Sequence, residues 1–415
     1  MTARTPTEEH RSPHPFALAL LYLPFGMPAG YVTVTLAYVL VQAGFSVEQV
    51  AGLVALSYVP QTWKFGWAPV VDTTLGPKRW YVIGAIGTAV GMLGTAFVPA
   101  QQHYFWALSV LVLISSGAST LVAMATEVLM THSTHAANRG RAGGWSQAGN
   151  LGGGGLGGGL ALWMSQHLAP WTGGAMLGLI SLLCMGALRY YREPAILHAK
   201  RLNFLNDMRA VAGDVWSIAR SRAGYLTLLV FLIPIGTGAA GGLWSAVADD
   251  WHTSADTVAL VNGALGGVAA MLGCLVGGRL SDLVDRRTSY LLYGLLQAVA
   301  AVAMGAMTKT PTTFVFFTIV YTFFNGFIYA AYAAVVLDAI GRKSPATNFN
   351  VLASIANVPI AYMTLIEGHA QSRFGSSGML YTESALALAA AICYIGVAAA
   401  TTPRAAGATA GVVSE

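Results

Sequence analysis

The chain is a succession of apolar runs, each about as long as a bilayer is thick and separated by short polar breaks. A hydrocarbon core about 30 Å thick asks for about 20 apolar residues per helical crossing. Inside it no water satisfies an open backbone, so a chain built this way is predicted to fold as membrane helices rather than around a soluble core. Composition agrees: of 415 residues 55% are hydrophobic and only 9% charged, with a mean hydropathy of +0.60. A net charge of +5 on a soluble chain would point to nucleic acid. Here its placement in loops carries the information, and no nucleic-acid partner is expected. Cys184, Cys274 and Cys393 lie far apart inside apolar runs, which predicts neither a disulfide framework nor a zinc site, and no cofactor. The first apolar run is too long, and lacks the small-residue pattern, for a cleaved leader, so it is expected to remain as the first helix.

Spans are predicted at about 16–41, 48–68, 80–99, 104–131, 142–164, 171–190, 223–247, 256–278, 289–308, 312–338, 346–367 and 379–400. Between the sixth and seventh lies a charged, partly amphipathic segment, REPAILHAKRLNFLNDMRAVAGDVWSIARSR. This divides the chain into an N-terminal half at 1–190, a cytoplasmic linker at 191–222 and a C-terminal half at 223–415. Short cytoplasmic loops are enriched in Lys and Arg. With the N-terminus inside, the inner face receives Lys78, Arg79, Arg139, Arg141, the linker bases, Arg279, Arg286, Arg287, Arg342 and Lys343, while the outer face receives Lys309 and Arg373. Both termini are therefore expected in the cytoplasm.

The break after the second span, QTWKFGWAPVVDTTLGPKR, has an echo in VGGRLSDLVDRR, which sets Asp72 opposite Asp282, 210 residues on. Asp72 precedes Glu127 by 55 positions and Asp282 precedes Asp338 by 56, and Asn150 in WSQAGN matches Asn357 in LASIAN. The expected fold class is an all-α membrane protein of twelve transmembrane helices in two six-helix pseudo-repeats. Parallel repeats of this kind are the organisation of the major facilitator superfamily, whose halves rock around a central site.

Lys64 lies within the second span, where an unpaired charge costs roughly 2.5–3.5 kcal/mol. Either it pairs with Glu127 at similar depth, as a coupling or gating pair, or it snorkels to the inner interface along its own stem. Asp72 and Asp282, each followed by two bases, read as latches that hold a neighbouring helix in one conformation, or as solvated loops that fix topology; Asp338 is the echo of Glu127. The glycine run GNLGGGGLGGGL in the fifth span lacks Gly-Lys-Ser/Thr and sits in a membrane, which excludes a phosphate loop. Close helix packing at a contact between the halves is expected instead. Tyr31, Thr35, Gln147, Asn150, Trp244, Asn325, Tyr329 and Asn357 are the polar or aromatic mid-membrane candidates for a substrate cavity. His132 and His135 lack a third ligand, and no Ser/His/Asp, paired-carboxylate or Cys/His arrangement can be assembled from the loops, so an enzyme is not expected.

Lys64-Phe65-x-Trp67-x-Pro69-x-x-Asp72 resembles the AmpG-like branch of the major facilitator superfamily, which includes muropeptide permeases and acetyl-CoA transporters; Gly26-Met27-Pro28, Arg139-Gly140 and Gly158-Gly159-Leu160-Ala161-Leu162-Trp163 fit the same branch. The C-terminal half carries only the general superfamily loop Gly278-x-Leu280-x-Asp282. Where this branch has two aspartates in its fourth helix the chain has Ala118 and Val122, and of that helix's acids only Glu127 stays. The resemblance implies a permease of the cytoplasmic membrane, inward-directed and driven by the proton gradient. The expected function is uptake of a medium-sized polar solute, muropeptide-like or a siderophore, by a monomer working by alternating access. The partners are then a small-molecule substrate, protons and the lipid bilayer. A siderophore importer and a non-transporting receptor that binds through the linker are the alternatives. A Gly-Pro pair in the fifth helix, usual in drug antiporters, is absent.

Overall fold

A computed structural model describes residues 16–67, 71, 74–133, 139–191, 209, 212–213, 216–217, 219–281, 283–340 and 345–401. It is all-helical, with twelve principal helices in the predicted order. α1 runs over Phe16–Gln42, α2 over Val47–Thr62, α3 over Pro77–Phe97 and α4 over Phe105–Ser133. α5 is Arg139–Gly155 continued through Leu156–Leu160 and Ala161–His167, and α6 is Thr172–Tyr190. α7 begins at Arg222–Leu232 and resumes as short turns up to Trp251. α8 is Ala255–Ser281, α9 Arg286–Ala306 and α10 Pro311–Ile340. The last helical stretch, Pro345–Ala400, folds back at Gly375, where φ is 69°, giving α11 before that residue and α12 after it.

The termini follow from local chemistry. Ser46 and Gln49 form a reciprocal capping box at α2. Ser221, Ser254 and Asp285 accept from backbone N–H groups at the starts of α7, α8 and α9. Pro77 opens α3, where its missing N–H has no helical partner to lose. Among the described residues eight helical runs are long and apolar enough to cross a bilayer, one of them the α11–α12 hairpin. The three helices outside that set explain themselves. α2 gives way after Thr62 to a tight turn at Lys64–Gly66, α5 is diluted by glycine, and α7 is broken.

Within the N-terminal half α1 packs on α4 and α5, and α3 on α4 and α6; in the C-terminal half α10 packs on α8 and α9, and α9 on α12. The halves meet along α2 with α11 and along α5 with α8. The glycine run of α5 serves both kinds of contact. Gly149, Gly153 and Gly157 lie against α1, where an added Cβ would fall 2.3 Å from Ala19 O, 2.3 Å from Leu23 O and 2.2 Å from Met27 O. Gly159 turns to the other half, and a Cβ on Gly263 of α8 would stand 2.6 Å from its Cα. In a bilayer such backbone approach replaces the missing hydrophobic drive between helices.

Three helices carry a π-type segment, Tyr31–Leu36 in α1, Leu156–Leu160 in α5 and Leu260–Leu265 in α8, and the α5 segment touches the other two. Each frees backbone carbonyls from the regular ladder. Thr35 Oγ1 takes up two of them, donating to Gly157 O at 2.8 Å and Gly158 O at 3.0 Å.

Candidate functional site: the break in α7 and the two mouths

α7 departs from the uninterrupted span predicted for 223–247. Pro234 has no N–H and disfavours helical backbone at Ile233, which is extended at ψ 153°. Gly236 and Gly238 then take φ of 64° and 65°, a region glycine enters without strain. Helix resumes only at Ala239. The break lies 11 residues from the start of α7, about 17 Å along the axis and so near mid-membrane. Irregular backbone at that depth persists only where protein or a water-lined cavity satisfies it, and broken helices at the midplane are where carriers of this architecture bind solute.

Protein satisfies much of it. Tyr362 of α11 donates to Leu232 O at 2.8 Å and Tyr290 of α9 to Ile235 O at 3.4 Å. Asn325 of α10 lies against the break, its Oδ1 2.7 Å from where a Cβ on Gly238 would stand. One turn further along α10, Tyr329 is 55% exposed, and its hydroxyl lies within electrostatic reach of Tyr58 of α2, from the opposite half. Tyr58 of one half and Tyr329 of the other thus lie near each other, with Asn325 against the broken segment.

The other candidates are placed as follows. Trp244, from the resumed part of α7, is buried and meets Tyr321 of α10 edge-on at 5.2 Å between ring centres. Tyr31 and Thr35 are buried inside the N-terminal half, within the α1 π segment. Asn150 Nδ2 donates to Gln147 Oε1 at 3.4 Å, one turn back on α5, and Asn357 Nδ2 donates to Ala353 O at 2.8 Å on its own helix. Glu127 accepts from Tyr22 of α1 at 3.1 Å. Lys64, 8% exposed, sits in the turn after α2, and that turn contacts the α11–α12 stretch of the other half. α2 ends at Thr62, earlier than the predicted 68.

Asp72 and Asp282 lie outside the described residues, as does the side chain of Asp338. Of the bases that follow Asp282, Arg287 donates to Thr227 Oγ1 at 3.2 Å and Ala223 O at 2.9 Å on α7, and Arg286 to Ala334 O at 3.4 Å on α10. The starts of α7 and α9 and the end of α10 are tied together by these arginines.

At the opposite end of the bundle the halves are joined by polar contacts. Gln42 Nε2 donates to Asp249 Oδ2 at 2.7 Å, His167 Nε2 lies 3.6 Å from Asp256 Oδ1, and His369 Nδ1 lies 3.1 Å from Glu48 Oε1. Among the described residues no cluster of metal-ligating side chains occurs.

Sequence reasoning passed over Glu367 of α11 and Glu383 of α12, both buried, with Tyr321 donating to Glu383. A signal was present: the two acids stand at equal distances on either side of Gly375, which in a helical hairpin puts them at one depth.

Comparison with known proteins agrees with this architecture. The sequence pattern of the Major Facilitator Superfamily matches residues 16–232 and again 226–414. The chain is 24% identical over 387 residues to the anhydromuropeptide permease of Escherichia coli (strain K12), covering 88% of this chain and 76% of that one. Among solved structures it resembles a D-xylose–proton symporter, with a TM-score of 0.72 at 13% identity over 92% of this chain and 96% of that one. It also resembles a peptide transporter of the POT type, with a TM-score of 0.69 at 12% identity over 93% and 95%.

Proposed function

The chain belongs to the Major Facilitator Superfamily, and from that premise we propose that it takes up a muropeptide-like solute across a cytoplasmic membrane in exchange for the free energy of the proton gradient. That it is a multi-pass secondary transporter and not an enzyme follows from the family. The solute is the proposal, and its main support is similarity to an anhydromuropeptide permease along 88% of the chain.

The site is compatible with such a solute. Tyr58, Asn325 and Tyr329 offer an aromatic and amide surface beside a backbone break, a combination that suits sugar rings and peptide bonds alike. The orientation proposed places both termini in the cytoplasm and the Gln42, Glu48 and His167 contacts at the outer mouth. The joined outer mouth then makes this an outward-closed state of the alternating-access cycle. Glu127 and Lys64 are proposed coupling residues, Asp72, Asp282 and Asp338 proposed gating residues, and Gln147, Asn150, Asn325, Tyr329 and Asn357 proposed solute contacts, whereas Tyr31, Thr35 and Trp244 are buried in the packing around them.

The test is accumulation of a labelled anhydromuropeptide by cells with and without the protein, with and without a protonophore. Protein-dependent accumulation that the protonophore abolishes is expected. Equal uptake in both strains overturns the solute assignment, and accumulation indifferent to the protonophore overturns the driving force.

A further inference from the structure

α11 and α12 form a hairpin whose turn is Gly375. Glu367 lies 8 residues before it and Glu383 8 residues after, so both sit about 12 Å along their helices from the outer end. Glu367 is 0% exposed and Glu383 4%. Tyr321 of α10 donates to Glu383 Oε1, and Tyr321 itself is pinned by the edge of Trp244. The remaining oxygens are enclosed: among the described residues, neither oxygen of Glu367 nor Oε2 of Glu383 has a hydrogen-bond partner, and the adjacent Trp244 Nε1 also lacks one.

The charge of Glu383 reaches Glu367, and both carboxyls reach Tyr321. The other titratable groups near this end of the hairpin are engaged further out. His369 pairs with Glu48, beside Arg373. Asp250 is held by Lys309 at 3.4 Å and by the Ser376 hydroxyl. No described ion pair brings Lys, Arg or His to Glu367 or Glu383.

Two carboxylates in one dry pocket with no cation cannot both stay charged, since each loses its hydration and repels the other. The arrangement with the least unsatisfied charge places one proton between them, on a carboxyl that donates to its neighbour while Tyr321 holds the outer oxygen. We propose that Glu367 and Glu383 form a proton-binding site in the C-terminal half, and that its occupancy controls the closed outer mouth. Binding converts one carboxylate to a carboxylic acid and leaves the pair with a single negative charge; release returns the proton to water. The link to the mouth is direct. Gly368, next to Glu367, packs so tightly on α2 that an added Cβ would lie 2.2 Å from the Ala51 Cβ. The next residue, His369, meets Glu48. A second charge on Glu367 would push α11 outward at the contact that joins the halves.

The assignment of a transport role rests on the proton-driven reading above, whereas the proton itself is measured independently of transport. Infrared spectra of the full chain in lipid, taken in H2O and D2O, are expected to show a deuterium-sensitive carboxylic acid C=O band. That band should be lost in Glu367→Gln/Glu383→Gln, and it should shift to higher frequency in Tyr321→Phe, which removes a donor while keeping the acids. A band unchanged in the double variant overturns the site, as does a band displaced by sodium at constant pH. In proteoliposomes, Glu383→Gln is expected to retain exchange of labelled anhydromuropeptide and to lose accumulation driven by a pH gradient. Full gradient-driven accumulation in Glu383→Gln overturns the role in coupling. Failure of the unmodified protein to accumulate solute under the gradient defeats the proton-driven reading instead, and leaves the infrared result to decide the site.

Discussion

Glu48 of α2 and His369 of α11 meet 3.1 Å apart where one end of each half faces the other. The other described ion pairs and side-chain hydrogen bonds between the halves, Gln42 with Asp249 and His167 with Asp256, lie at the same level. Exposed contacts of this kind are screened by solvent and each contributes little. Removing two of them together with Glu48→Gln and Asp249→Asn should raise the outward-open population. A cysteine placed at Tyr38, in the outer part of α1, in a chain with its three native cysteines replaced, should react faster with a membrane-impermeant maleimide in the double variant. An unchanged rate means these contacts do not hold the mouth.

Glycine substitutions should separate by their surroundings. Gly159→Ala places a Cβ 2.7 Å from Ala259 O of the opposite half, and Gly153→Ala one 2.3 Å from Leu23 O within the same half. The first should impair uptake with a modest loss of thermal stability, because it wedges a contact that has to move. The second should lower stability by about 1–3 kcal/mol as an overpacked core does. Gly52→Ala, with nothing within 4 Å, should leave uptake intact and stabilise α2 by up to about 1 kcal/mol. Thermal unfolding in detergent and uptake in cells check all three.

The break in α7 should be equally selective. Gly238→Ala forces a Cβ onto a left-handed backbone and against Asn325, at roughly 1–2 kcal/mol for the backbone alone. Tyr362→Phe deprives Leu232 O of its donor, worth about 1 kcal/mol. Both should cut uptake more than they cut membrane abundance, because they alter the segment that borders the solute space. Parallel losses of uptake and abundance would assign the break a purely structural role.

Lys64 and Glu127 should act independently. Lys64 sits in a turn against the α11–α12 stretch and Glu127 accepts from Tyr22, so a double-mutant cycle of Lys64→Ala and Glu127→Gln on uptake should give a coupling within about 0.5 kcal/mol of zero. A coupling of several times that value would show that the two act as a direct pair.

Most of the fold was legible because hydropathy, capping and loop charge act locally. Ser46, Ser221 and Ser254 cap the helices that the apolar runs announce. The early end of α2 and the break in α7 were harder, since each is a local backbone preference overruling an apolar run. Pro234, Gly236 and Gly238 signal the break only when their backbone angles are weighed against hydropathy. The division of labour along α5 was half visible. Its glycines announced close packing, but which of them face α1 and which face Gly263 depends on the tertiary contact. Glu367 and Glu383 escaped because each lies near the end of a predicted span, where an acid reads as solvated; only the hairpin puts them together.

The measurement that bears most directly on the account is accumulation of labelled anhydromuropeptide by proteoliposomes under an imposed pH gradient, followed together with lumenal pH. The account predicts solute accumulation against its own gradient, matched by lumenal acidification and absent when the pH gradient is collapsed. Solute that only equilibrates, with lumenal pH unmoved, would contradict it.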